Sequence, residues 1–354
     1  MSRPFPGPAT VERPSSGRRG RRAARSPYPS GVLTVQALRP PATDHGWLRR
    51  VVLANLVVQV GVVVTGGLVR LTGSGLGCPT WPQCVPGSFT PVARQAQGVH
   101  KLIEFGNRTL AGVLTVAAVA VVVAVWRWAP HRRALRRLSL LPLLGVFAQA
   151  VLGGITVLTQ LNPASVAAHF LLSMLLVGLS ALLVYRVGEG DGPSLPVVRA
   201  EVRVLARVTA VMGAVVLVLG TVVTGSGPHS GDAVHPTRFG FDPRSVAWVH
   251  ADAVMLFLGL VLATLVAVRV SDAAAAVQRA WLVVLAVTLL QGFIGYLQYY
   301  TGLPEAVVAL HMLGASLLVV ALTRAMLAMR TRSALAPMRG HAAIPAVRGS
   351  TATG

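Results

Sequence analysis

The sequence predicts an all-α integral membrane protein of about eight transmembrane helices, built as two pseudo-symmetric four-helix bundles. Three observations carry that expectation. First, 53% of the 354 residues are hydrophobic and 12% charged, with mean hydropathy +0.64, outside the range of soluble domains. Second, a helix crossing roughly 30 Å of hydrocarbon needs about 20 mostly apolar residues. About eight such stretches occur, near 50–70, 100–126, 138–160, 164–186, 205–225, 247–269, 280–300 and 306–328. Third, the text QAVLGGITVLTQLNPASVAAHF from Gln149 to Phe170 returns as QGFIGYLQYYTGLPEAVVALHM from Gln291 to Met312. Gln149, Gly153, Thr159, Leu161, Val166, Ala167 and His169 match Gln291, Gly295, Thr301, Leu303, Val308, Ala309 and His311 without a gap. VVVTGG at Val62 to Gly67 and TVVTGS at Thr221 to Ser226 relate the first and fifth spans in the same way. The two halves run in the same direction across the membrane, as a parallel repeat.

Taken in order, residues 1–46 are rich in Pro, Ser, Gly and Arg without apolar periodicity, which predicts a disordered basic cytoplasmic tail. It is read as solvated, with contact to anionic membrane lipid as the other reading. No cleavable signal peptide is expected, because the first apolar stretch begins late and is long enough to span. Residues 47–190 form the N-terminal half, 191–330 the C-terminal half, and 331–354 a second disordered cytoplasmic tail. The formal net charge of +21 does not point to nucleic acid, since the arginines stand between apolar runs. They read as topology signals: Arg49 and Arg50 precede the first span, and Arg127, Arg132, Arg133, Arg136 and Arg137 follow the second. Arg186, Arg199, Arg203 and Arg207 lie after the fourth, Arg269 and Arg279 bracket the sixth-to-seventh link, and Arg324, Arg330 and Arg332 end the eighth. All belong to one side, so a multi-pass protein of the cell membrane with both termini cytoplasmic is expected.

That orientation puts the loop 71–99 outside the cell, with both cysteines of the chain in GSGLGCPTWPQC. An oxidising compartment and a turn-rich ring favour a Cys78–Cys84 disulfide, with free thiols as the alternative. No further Cys or His completes a zinc site at the usual spacing. The run Gly73-Ser74-Gly75-Leu76-Gly77 follows a membrane helix and not a strand, which excludes a dinucleotide fingerprint.

Nine histidines occur. His45, His131 and His341 fall in cytoplasmic segments, and His229 and His235 in the outer loop before the sixth span. His100, His169, His250 and His311 stand at the outer ends of the second, fourth, sixth and eighth spans. One intramembrane histidine is commonly an interhelical hydrogen-bonding group. Four at equivalent depth, two per half, predict a heme-type site in each half, since imidazoles on facing helices of a bundle can hold an iron porphyrin from both axial sides. Glu104 is also costly: a carboxylate at mid-membrane costs roughly 2.5–3.5 kcal/mol. His100, Glu104 and Asn107 lie at i, i+4 and i+7, on one helix face. Glu104 reads either as a site residue or as the ion-pair partner of Lys101 or Arg108. Arg108 reads either as a partner for a heme propionate or as a snorkelling side chain.

Over roughly 47–330 the chain resembles the heme A synthases, in their actinobacterial form. The resemblance lies in TGGLVRLTGSGLGCPTWPQC, LIEFGNR, LGGITVLTQLNPASVAAHF, TGSGPHSGD and QYYTGLPEAVVALH, specific jointly and not singly. It implies a membrane oxidoreductase that converts the methyl group of heme O into the formyl group of heme A by successive hydroxylations, for cytochrome oxidase biogenesis. It implies that His250 and His311 ligate a resident heme b, that His169 faces the substrate heme, and that Glu104 moves protons or steadies a cation beside it. Cys78 and Cys84 belong to the same pattern, as a disulfide that aids heme O handling. Where many members read Glu-aromatic-x-His-Arg, this chain has Asn107 at the histidine position, followed by Arg108. Either His100 serves a substrate porphyrin that sits higher, or His169 alone ligates it. Docking to a heme O synthase or to cytochrome oxidase assembly factors, and self-association, remain open. Without the resemblance, a di-heme b-type cytochrome taking electrons from quinol would suit the same residues. A transporter suits them less, because the polar residues lie towards one surface.

Overall fold

The computed structural model describes residues 46–232 and 234–332. The expected tails at 1–45 and 333–354, with His45 and His341, lie outside the described residues. Eight helices follow one another: α1 (Gly46–Leu71), α2 (His100–Trp128), α3 (Arg133–Leu158), α4 (Pro163–Gly188), α5 (Ala200–Ser226), α6 (Pro243–Val270), α7 (Ala275–Tyr300) and α8 (Glu305–Ala328). All eight are long and apolar enough to cross a membrane, as a multi-pass protein requires. Several start before the apolar stretch does. α1, α5 and α7 begin four or five residues earlier than hydropathy places them, because helical hydrogen bonding runs on through turns rich in Arg and Ala, both good helix formers.

α1 meets α2, α2 meets α3, α3 meets α4, and α4 closes on α1; α5 to α8 repeat the arrangement, with a shorter seam between α5 and α8. The bundles join where α4 meets α8, and the flanking contacts α1 with α8 and α5 with α4 are repeat equivalents. The two halves are thus related pseudo-symmetrically. Leu56, Val63, Met174, Val177 and Ala181 form the seam with Leu217, Val319 and Val320 of the second half. Gly67 lies against Met312, and a Cβ there would strike the thioether. Phe257 and Trp281 anchor the core of the second half. Polar pairs bind helices inside each half: Asn55 Nδ2 donates to Ser180 Oγ at 3.1 Å, and the Thr209 and Thr264 hydroxyls are 2.9 Å apart. Each contributes on the order of 0.6 kcal/mol in a membrane, enough to fix register.

Duplication is visible in the backbone. Leu161 after α3 and Leu303 after α7 both take the left-handed conformation, at φ 56° and 61°. Their amides donate back to Thr156 and Gln298 carbonyls at 2.9 and 2.7 Å, ending each helix sharply. α4 and α6 start on side-chain caps: Asn162 Oδ1 accepts from the Ala164 amide before Pro163, and Asp242 accepts from Ser245 before α6, whereas α8 follows Pro304 without one.

At the end opposite the cysteine loop, two short strands appear that hydropathy does not reveal. β1 (Ser194–Pro196), in the link between the halves, pairs antiparallel with β2 (Arg330–Arg332), just past α8. Thr331 and Arg332 are therefore part of the fold and not of the tail expected from 331. Arg132 reaches Asp191 at 2.8 Å and Arg186 reaches Glu189 at 2.7 Å, with Arg330 and Arg332 also facing Glu189. These arginines, expected only to set topology, also fasten the link to both bundles.

Candidate functional site

At the cysteine-loop end, Cys78 and Cys84 form a disulfide, and both are fully buried. The loop is clamped to α2 by one carboxylate. Glu104, 5% exposed, accepts the Cys78 amide at Oε2 (2.7 Å) and the Arg108 guanidinium at Oε1 (3.0 Å from Nε, 2.6 Å from Nη2). Arg108 donates onward to the carbonyls of Thr80 (3.1 Å) and Cys78 (2.8 Å). Of the two ion-pair partners open to Glu104, the structure thus uses Arg108. Lys101 turns away to the carbonyls of Val92 and Ala93.

The α1–α2 and α5–α6 loops interlock above this clamp. The Gly75 amide donates to the Gly231 carbonyl at 2.8 Å, and Ser74 bridges Asp232. Arg70 donates to the carbonyls of His229 (2.7 Å) and Thr224 (3.0 Å), and His229 Nε2 contacts the Leu303 carbonyl. Within the disulfide ring, the Trp81 indole lies on Gly154 of α3, where a Cβ would come within 2.5 Å of the ring.

Three of the four expected histidines share one environment. His169, His250 and His311 stand six, seven and six residues into α4, α6 and α8. Each ring backs onto a glycine of the preceding helix: a Cβ on Gly153, Gly220 or Gly295 would stand 3.2, 3.4 or 3.5 Å from the Cε1 of His169, His250 or His311. Each Nδ1 is buried and without a hydrogen-bond partner, whereas no Nε2 of the three is buried unpartnered or hydrogen-bonded among the described residues. Two of these helices are steadied alike: Gln149 Nε2 donates to the His169 carbonyl and Gln291 Nε2 to the His311 carbonyl, both at 3.0 Å. Gln149 also reaches Ser173 Oγ at 2.6 Å.

His100 differs. It is the first residue of α2, and its Nδ1 lies 2.8 Å from Ser74 Oγ. Asn107 differs as well, its Oδ1 accepting from Thr65 Oγ1 at 2.8 Å. Buried positions fix how α2 and α6 correspond. Leu114, Ala118, Val121 and Val125 have the 4, 3, 4 spacing of Phe257, Val261, Thr264 and Val268. That register sets Glu104, Asn107 and Arg108 opposite Ala247, His250 and Ala251.

Among the described residues, no three His, Cys, Asp or Glu side chains gather as a metal site. His250 and His311 fit an iron porphyrin: each ring is backed and shielded at Nδ1, leaving Nε2 as the nitrogen able to reach a metal. Sequence reasoning found these rings but missed Ser74, Thr65, Trp81 and the three glycines. The gapless match of Gly153 with Gly295, each 16 residues before a histidine, was the signal available for two of them.

The model of the family described as cytochrome oxidase assembly protein matches residues 49–229, just over half of the chain. A heme A synthase of Lysinibacillus sphaericus is 27% identical over 77% of this chain and 92% of its own length. One of Bacillus mycoides is 24% identical over 75% and 87%. One of Bacillus pumilus is 34% identical over 41% and 47%. This match over more than half of the chain, on a fold of eight spans, means that the chain belongs to the cytochrome oxidase assembly protein family.

Proposed function

We propose that the chain is a heme A synthase, an oxidoreductase converting the methyl group of heme O to the formyl group of heme A. The observation that carries this reading is the chemical inequality of two halves that share one backbone plan. Where α6 has Ala247, His250 and Ala251, α2 has Glu104, Asn107 and Arg108. The second half offers two imidazoles and little else, which suits a resident heme b on His250 and His311. Such a heme supplies a one-electron redox centre. The first half offers an imidazole and an ion pair under a cross-linked loop, which suits a porphyrin undergoing reaction.

Methyl to formyl gains one oxygen atom net and gives up four electrons and four protons, which an acceptor from outside the chain must take up: two hydroxylations give a geminal diol, which loses water. His169 would hold the substrate porphyrin from α4. Glu104 would accept and return protons beside the reacting group, with the Arg108 guanidinium hydrogen-bonded to its Oε1 and orienting it. The disulfide loop would cover the mouth of this half and limit water. The arginine-rich end, with Arg127, Arg132, Arg133, Arg136 and Arg137 after α2, supports a cell-membrane topology with cytoplasmic termini.

The test is pigment extraction from membranes of cells that make the full chain and are supplied with heme O. Heme A should accumulate with the wild type. Heme O left unchanged by a protein that carries heme would instead mark an electron-transfer cytochrome.

A further inference from the structure

Seven residues into α2, at the depth where α4, α6 and α8 carry His169, His250 and His311, stands Asn107. The burial register makes it the counterpart of His250. The facing helix agrees. Aligning VVVTGG with TVVTGS pairs Gly61 with Gly220, and whereas Gly220 backs the His250 ring, a Cβ on Gly61 would meet nothing within 4 Å. The Asn107 carboxamide does not fill that place. It turns to Thr65 Oγ1, and its Nδ2 lies against Gly66. An amide nitrogen is a poor iron ligand because its lone pair is delocalised, and here the amide oxygen is already hydrogen-bonded.

The other imidazole of this half is committed elsewhere. His100 lies two turns, about 10 Å, nearer the helix start than Asn107. Its Nδ1 is bonded to Ser74 Oγ, and Ser74 is fully buried beneath the bridge to Asp232. The His100 carbonyl packs so closely on Gly77 that a Cβ there would collide with it. Ring and backbone together form the floor on which the loop sits. His169, His250 and His311 instead stand about two turns inside their helices, each ring backed by a glycine of the preceding helix.

We infer that the first half-bundle offers its porphyrin one imidazole, His169, and that the coordination position facing α2 has no protein ligand, His100 being a latch that seats the disulfide loop. This rests on the heme reading above and settles how many protein nitrogens reach the substrate iron. An iron porphyrin held in the first half would then be five-coordinate, high-spin and open to a small exogenous ligand, whereas one held by both His250 and His311 would be six-coordinate, low-spin and closed.

Full-length protein purified from cells supplied with heme O tests this by low-temperature EPR of the ferric form and CO difference spectra of the ferrous form. One low-spin heme should vanish in His250→Ala and in His311→Ala. One high-spin heme that binds CO should vanish in His169→Ala and persist in His100→Ala. Asn107→His, which restores an imidazole at the place equivalent to His250, should turn that heme low-spin and reduce its CO binding at least tenfold. A His169-dependent heme that is low-spin and inert to CO in the wild type, and becomes high-spin in His100→Ala, would overturn the inference while leaving the functional reading intact. That comparison decides even if Asn107→His does not accumulate. Absence of any His169-dependent porphyrin would sink the functional reading and the inference with it.

Discussion

Gln291 donates its side-chain amide to the main-chain carbonyl of His311 across the α7–α8 contact, at 3.0 Å. The approach is possible because Gly314, one turn on, has no Cβ to collide with the carboxamide. The bond pins the turn that carries the imidazole and leaves the ring free. Gln291→Leu should therefore cost about 1 kcal/mol of stability and shift the low-spin heme spectrum without abolishing it. His311→Ala should abolish it. Equal loss in both variants would mean that the glutamine does more than steady the helix.

The Glu104–Arg108 pair is partly buried and also holds Cys78. Glu104→Ala strands the guanidinium against loop carbonyls and should cost about 2–3 kcal/mol. Heme bound by His250 and His311 should be retained while heme A formation is lost. Glu104→Gln separates the roles, since an amide still accepts from the Cys78 N–H but cannot shuttle a proton. Full activity in that variant would leave the carboxylate only its clamping role.

Adjacent glycines on α3 should respond differently. A Cβ on Gly154 would come within 2.5 Å of the Trp81 ring, so Gly154→Ala should displace the indole and change its fluorescence, at a cost of about 1–3 kcal/mol. At Gly295 the Cβ would stand an ordinary 3.5 Å from His311, and Gly295→Ala should leave the second-half heme spectrum intact. Gly153→Ala, at 3.2 Å from His169, should shift the first-half spectrum only.

Cys78→Ser opens a ring of seven residues whose closure contributes about 2 kcal/mol by loop entropy. Because Glu104 binds the Cys78 amide and not its side chain, the loop should stay attached to α2. The variant should accumulate in membranes with heme A production lowered several-fold. Failure to accumulate would show that the cross-link is needed to fold.

Asp242 caps α6, and hydrogen bonds from the Ser245 hydroxyl and amide hold its carboxyl below the usual carboxylate range. A depressed folded-state pKa stabilises above the unfolded value, about 4, and that contribution fades as pH falls through the folded value. Asp242→Ala should melt slightly below wild type at pH 7, with the gap narrowing below about pH 4. A gap that persists at low pH would assign the effect to helix propensity.

The eight spans were legible because each apolar run exceeds the hydrocarbon thickness, and the duplication because Gln, Gly, Leu and His recur at fixed spacing. His169 and His311 could be picked out for the same reason, and His250 by its place at the end of the sixth span. Depth could not separate His100 from them; the family motif already set Asn107 at the histidine position with His100 two turns higher, and the burial register of α2 agrees, while the Ser74 contact that occupies His100 could not be read from the sequence. Ser74, Trp81 and Thr65 were illegible because their roles come from contacts between segments far apart in sequence. β1 and β2 escaped notice because three-residue strands carry no periodicity, and 136 residues separate their first positions.

The β1–β2 pairing sets an order of events during synthesis. Ser194–Pro196 leaves the ribosome early, before any residue of the second bundle, and its partner Arg330–Arg332 comes only after the eighth span. Until then, Glu189 has Arg186 alone, and the nascent link between the bundles stays untied on that face. A chain stopped at Met329 could insert every helix and still lack its final fastening.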